Sequence, residues 1–150
     1  MSVTNGVFTQ TQRDLLKAML NRIIPSEGQF PGAGDLGVAD FVEAAIGQDT
    51  QLRRLFLEGL AQAEIAVARR ESKGFDELSD RAKDDALRHV HGEQPKFFEA
   101  LLVQAYSGYY TNPRIFQLIG YTLPQVYEPK PFDEGLLAKQ RRRSPFWRQV

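Results

Sequence analysis

The residues best arranged for chemistry are three glycines. Gly32, Gly34 and Gly37 spell G-x-G-x-x-G within Phe30-Pro31-Gly32-Ala33-Gly34-Asp35-Leu36-Gly37-Val38, the pattern with which backbone amides cradle a pyrophosphate. That chemistry needs a buried strand delivering the chain to the glycines and a helix leaving them. The exit is helical by spacing, with Val38, Phe41, Val42, Ala45 and Ile46 in register. The approach is not a strand. Leu15, Leu16, Met19, Leu20, Ile23 and Ile24 fall in pairs four apart, the stripe of an amphipathic helix that stops at Pro25. The acidic residue due about 20 positions further on is Glu58, inside another helical run. The expectation is a helix–helix loop that needs left-handed backbone at several glycines, not a nucleotide site.

Other catalytic patterns are missing from the sequence. His89 and His91 are the only histidines. They stand two apart near a helix end, cannot share a helical face, and have no third ligand at suitable spacing. They read as surface residues near a helix C-terminus. Asp80, Asp84 and Asp85 read as a solvated face, with Arg88 four residues after Asp84 as an ordinary pair. There is no G-x-S-x-G, H-E-x-x-H, phosphate-binding loop signature or C-x-x-C-H. No nucleophile, base and oxyanion donor form a set. The chain is expected to hold no cofactor and no metal, and not to be an enzyme by itself.

The elements that position these residues follow from composition and period. A chain of 150 residues is one domain by length, and 42% hydrophobic with 25% charged residues is ordinary for a soluble globular fold. Zero net charge gives no general pull toward nucleic acid or an anionic membrane. No apolar run approaches the roughly 18 residues of a membrane span, so no membrane insertion is expected. Without cysteine there are no disulfides or thiolate metal sites. Met1–Phe8 has neither a basic nor an apolar signal region. The expectation is a cytoplasmic protein, or a periplasmic one whose leader was removed. The twin-arginine look-alike Arg53-Arg54-Leu55-Phe56-Leu57 reads as helix surface and core.

Nothing alternates with period two over a useful length. Thr9 and Gln12 form a capping box for a first helix. A long helix after Asp49 carries two stripes: Leu52, Leu55, Phe56, Leu60, Ala63 and Val67, then Leu57, Ala61, Ile65 and Ala68. Two stripes make it the candidate central helix, with Gly74 as its stop. Ser79 caps the next helix, which Gly92 ends. Pro95 opens another, with Phe97, Phe98, Leu101, Leu102, Ala105, Tyr106 and Tyr109 inward. Asn112-Pro113 starts a short one that Gly120 closes. The fold class is all-α, a compact bundle of about five to six helices over residues 1–120. Residues 121–150 form an extended tail rich in proline, arginine and aromatics, which wraps a partner or is disordered. The tail carries a net charge of +3. Arg142, Arg143, Phe146 and Trp147 suit a partner groove, because arginine and aromatics dominate interface energetics.

Several segments together resemble the gluconate 2-dehydrogenase subunit 3 family. They are Arg22-Ile23-Ile24-Pro25, Pro31 through Phe41, Gly74-Phe75 ahead of Leu78-Ser79, Phe97-Phe98, Gly108-Tyr109-Tyr110-Thr111-Asn112-Pro113 and Leu118-Ile119-Gly120-Tyr121. The resemblance spans residues 10–121. It implies a non-catalytic small subunit of a sugar or sugar-acid dehydrogenase complex. The implied partner is a large subunit of the glucose-methanol-choline type that holds FAD, and a haem-bearing cytochrome is a further implied partner as electron acceptor. It also implies that the large subunit needs the small one to fold, assemble or be exported. Many relatives carry a twin-arginine leader, and Met1–Phe8 shows none. On this reading Pro31, Gly32 and Gly34 approach the partner backbone closely. Tyr109, Tyr110 and Pro113 offer a rigid aromatic corner, and Arg142, Arg143, Phe146 and Trp147 anchor the tail. The alternative is a free-standing helical adaptor for an unrelated partner.

Overall fold

The helix starts foreseen above are built by the residues named for them. This computed structural model describes residues 6–70, 74–122, 124–125 and 133–143. Among them are α1 (Gln10–Ile23), α2 (Ala33–Leu36), α3 (Val38–Gln48), α4 (Thr50–Arg70), a 3-10 turn (Phe75–Glu77), α5 (Asp80–Glu93), α6 (Pro95–Tyr110), α7 (Pro113–Ile119) and α8 (Glu134–Arg141). No strand forms among the described residues, so the fold is all-α, as expected. At α1 the Thr9 hydroxyl accepts the Gln12 amide at 3.2 Å, and the Gln12 side chain accepts the Thr9 amide at 3.1 Å. This box satisfies two amides that the helix itself leaves free. Asp49 caps α4 by accepting from Gln51 and Leu52, Ser79 caps α5 through Ala82, and Asn112 caps α7 through Arg114. Pro95 and Pro113 occupy first-turn positions, where a missing N–H costs nothing.

The core is an apolar layer shared by α1, α3, α4, α5 and α6. Phe56, Phe97, Leu16, Leu20, Ile46, Leu60 and Leu101 are fully buried within it. Phe97 of α6 meets Phe56 of α4 edge to face at 5.3 Å. Its ring lies where a side chain on Gly59 would have to stand, so α4 and α6 approach closely only because residue 59 lacks a Cβ. Burying one such phenylalanine is worth about 1.5–3 kcal/mol.

The structure corrects the expected central helix. On α4 only one face is buried, formed by Phe56, Gly59, Leu60, Ala63, Ala66 and Val67. Of the second stripe, Leu57 and Ala61 are half-buried, while Ile65 and Ala68 are exposed. The buried face of α4 packs against α1, α3, α5 and α6. Two stops also differ. Gly74 has φ −64° and precedes the 3-10 turn, so it is no left-handed cap. Gly92 lies within α5, whose cap is Gln94. Two helices beyond the expected set appear. The four-residue α2 is too short to show a period. Inside the proline-rich tail, α8 starts where the Asp133 carboxylate accepts the amides of Gly135 and Leu136. Among the described residues, no helix is long and apolar enough to cross a membrane.

Candidate partner-binding surface

The glycine loop turns inward, onto α1. A Cβ on Gly34 would collide with the Lys17 carbonyl oxygen and stand 2.9 Å from Asn21 Cγ, and one on Gly32 would collide with Asn21 Oδ1. Both glycines are buried. The close approach expected toward a partner backbone is therefore made to the chain's own first helix. In the loop between α1 and α3, Gly28 at φ 56° and Gly37 at φ 93° adopt left-handed backbone, while Gly32 has φ −63°. Asn21 replaces the cap that Gly32 lacks. Its Oδ1 accepts the Asp35 amide at 3.1 Å, and its Nδ2 donates to Asp35 Oδ1 at 3.3 Å. The Ala33 amide donates to the Ile24 carbonyl at 2.9 Å. The amides of Ala33 and Asp35, which a bound phosphate would need, are thus engaged by α1 and its C-terminal end. The glycines also follow a helix, not a strand, and the dinucleotide reading has no structural basis.

One side chain ties this loop to α6. Tyr109 is 3% exposed and donates its hydroxyl to the Pro31 carbonyl at 2.9 Å. Burial raises the pKa of its phenol, with Tyr110 adding to the effect. Tyr109 is thus an internal strut, and its ring meets Tyr110 edge-on at 5.2 Å. Tyr110 is half exposed and stacks on Tyr106 at 6.2 Å. Tyr106, expected inward, is 48% exposed. It lies just past the edge of the buried stripe, beside Ala105. Val103, Tyr106 and Tyr110 recur at helical spacing along the outer face of α6. Next along the chain stand the exposed Pro113 and Arg114, then Ile119 and Tyr121. The Tyr121 ring packs on Phe116 at 5.2 Å, which fixes the end of α7.

The carboxylates and histidines build no centre. Arg22 grips Asp84 with two parallel bonds, Nε to Oδ1 at 2.7 Å and Nη2 to Oδ2 at 3.0 Å, and lies 3.7 Å from Asp80. Those bonds hold the Asp84 carboxyl below its ordinary range against an opposing desolvation effect. Arg88 pairs with Asp85, three residues back, and not with Asp84 as expected. His89 and His91 are exposed, and His91 stacks on Phe98 at 4.8 Å. Among the described residues no group of three His, Asp or Glu side chains is placed to hold a metal. A cleft of about 610 Å³ opens between α1, α4 and the 3-10 turn, with Leu15, Val67 and Phe75 as its apolar wall and Asp14, Glu64 and Asp76 at its rim. Thr11, Gly74 and Glu77 also line it.

The expected contact residues therefore separate into groups. Gly32, Gly34 and Tyr109 are internal. Pro31 is half-buried and held by Tyr109. Tyr110 and Pro113 are exposed beside each other at the α6–α7 corner. Arg142 and Arg143 are exposed at the end of α8, far along the chain from the corner, while Phe146 and Trp147 lie outside the described residues. Val103, Tyr106 and Ile119 were not foreseen as surface. A signal for them exists: from Ala100 to Tyr127 the only charged residue is Arg114, in a chain that is 25% charged. Charge depletion with tyrosine enrichment is the compositional mark of an interface core.

Compared with known proteins, residues 10–129 match the family model described as gluconate 2-dehydrogenase subunit 3. No curated protein and no solved structure matches the chain.

Proposed function

The chain belongs to the gluconate 2-dehydrogenase subunit 3 family, and from that premise we propose that it is the non-catalytic small subunit that binds and supports folding of a FAD-dependent dehydrogenase. The family is by its description a subunit of a dehydrogenase complex. The observation that carries the reading is the span of the match, residues 10–129, which takes in all of α1 to α7. The match thus treats α1 to α7 as one unit, and α8 lies beyond it.

The chemistry of the interior supports a non-catalytic part. Its core side chains are apolar, and the polar links Arg13 to Glu43, Asn21 to α2, Tyr109 to Pro31 and Arg22 to Asp84 join its own elements. In the proposed complex the large subunit, of the glucose-methanol-choline type, holds FAD and oxidises a sugar or sugar acid, with a cytochrome as a further partner. The small subunit acts by linkage. A partner that binds only the folded state stabilises it, by about 2.7 kcal/mol at a concentration 100 times Kd. It also covers apolar surface that would otherwise drive aggregation.

Co-expression tests this directly. The large subunit made with this chain is expected to give much more soluble, flavin-loaded protein than the large subunit made alone. Equal yield and equal activity without this chain would refute the proposal. A pull-down whose main prey contains no flavin would favour the free-standing adaptor instead.

A further inference from the structure

We infer that the α6–α7 corner is the seat of the large dehydrogenase subunit, taking an uncharged apolar surface of that partner with one carboxylate opposite Arg114. The inference rests on the proposed function and adds the place of contact and the chemistry of what is contacted.

Three observations converge on it. Val103, Tyr106, Tyr110, Ile119 and Tyr121 are each about half or more exposed, although they belong to an otherwise well-packed pair of helices. Large apolar groups exposed singly need no explanation, but a run of them along one helix and its successor marks an interaction site. The Tyr106 and Tyr110 rings stack on each other, and Tyr110 also meets edge-on the ring of Tyr109, whose hydroxyl is fixed on Pro31. Little side-chain freedom therefore remains to be lost on binding, which is the condition for a high-affinity anchor.

The charge pattern selects the occupant. Arg114 is exposed and has no ion-pair partner among the described residues. It is also the one charge between Glu99 and Glu128. Nucleic acid or an anionic membrane would need a set of cations here. A neutral protein surface with a single acidic group matches what is present. An interface of ordinary size needs about 800 Å² from each partner, so the corner supplies the dry centre and surrounding polar residues supply the rim.

The test uses the full chain, tagged and co-expressed with the large flavoprotein subunit. Wild type is compared with the double variant Tyr106→Ala/Tyr110→Ala, with Val103→Asp, and with Ile65→Asp on the outer face of α4 as the control. Retained flavin per mole of tagged chain and the Kd of the purified pair are read. The first two variants are expected to weaken binding at least about tenfold, and the control less than about threefold. Thermal melts establish that each variant is folded. Should Val103→Asp not fold, the tyrosine pair decides, since truncating exposed rings leaves no cavity. If wild type captures the flavoprotein and both corner variants capture it equally, the corner is not the seat, while the proposed function stands. If wild type captures none, the function fails and the seat with it. A wild-type dimer that the corner variants break, with flavoprotein binding unchanged, would assign the corner to a second copy of this chain and overturn the inference.

Discussion

Two regions rich in glycine and proline, Pro31–Gly37 and Gly108–Gly120, look alike on paper and differ in space. The first is folded against α1, with its glycines buried beneath Asn21 and its amides engaged. The second buries Tyr109 and Ile115 but leaves Tyr110, Pro113 and Ile119 facing solvent. Glycine reports that something comes close, but not what. The missing Cβ at residue 34 admits the Lys17 carbonyl, an internal neighbour. The charge around the aromatics carries the other half of the information. The first region holds Asp35 and is flanked by Glu27 and Asp40, whereas the second has Arg114 alone.

Substitutions can break or sharpen this contrast. The largest expected effect is at Gly34→Ala. The new methyl must displace helix backbone, so stability should fall by about 3 kcal/mol, the upper range for overpacking, as read by urea denaturation. A loss below about 0.5 kcal/mol would mean that the loop is loosely seated. Next comes Tyr109→Phe, which removes only the bond to Pro31. A loss of about 1 kcal/mol is expected, and hydrogen exchange of the loop amides should rise with it.

A smaller effect is expected from acid. Folding lowers the pKa of Asp84, so the unfolded chain binds its proton more readily. The contribution of this pair is complete above the ordinary value of 3.8 and fades as pH falls through the lower folded value. Melting curves of wild type and Asp84→Asn should therefore converge on acidification. A gap that widens instead would sink the assignment. The smallest effect on stability belongs to the corner. Tyr110→Ala in the isolated chain should change it by no more than about 0.5 kcal/mol, in contrast to its effect on the complex. A melt as poor as that of Gly34→Ala would make the ring structural.

Much of the fold was legible because its signals are local. The Thr9–Gln12 box, Pro95 and Asn112-Pro113 act within one turn, and each forms as expected. What failed depends on distance or on counting faces. Asn21 caps α2 from 14 residues away, and nothing in the spacing marks a helix-bound asparagine as that cap. The second stripe on α4 is apolar yet faces outward at Ile65, because burial is set by which helices arrive and not by hydrophobicity alone. Tyr106 was drawn into the buried stripe by its neighbours Ala105 and Tyr109, since an amphipathic ring at the stripe's edge fits either side. The tail's α8 hides because Asp133 must overrule nearby prolines. For the candidate surface, Tyr110 and Pro113 could be picked from the aromatic corner, but Val103 could not be separated from core valines without a structure.

The Tyr109 strut has a chemical lifetime of its own. A phenol can hold the Pro31 carbonyl only while it keeps its hydrogen, and burial delays the loss of that hydrogen into stronger alkali than a free tyrosine needs. The Arg22–Asp84 clasp lets go at the opposite extreme. The two fastenings of the loop and its supporting helix therefore bracket neutrality from either side. A spectrophotometric titration should show the ionisation of Tyr109 coinciding with loosening of the loop.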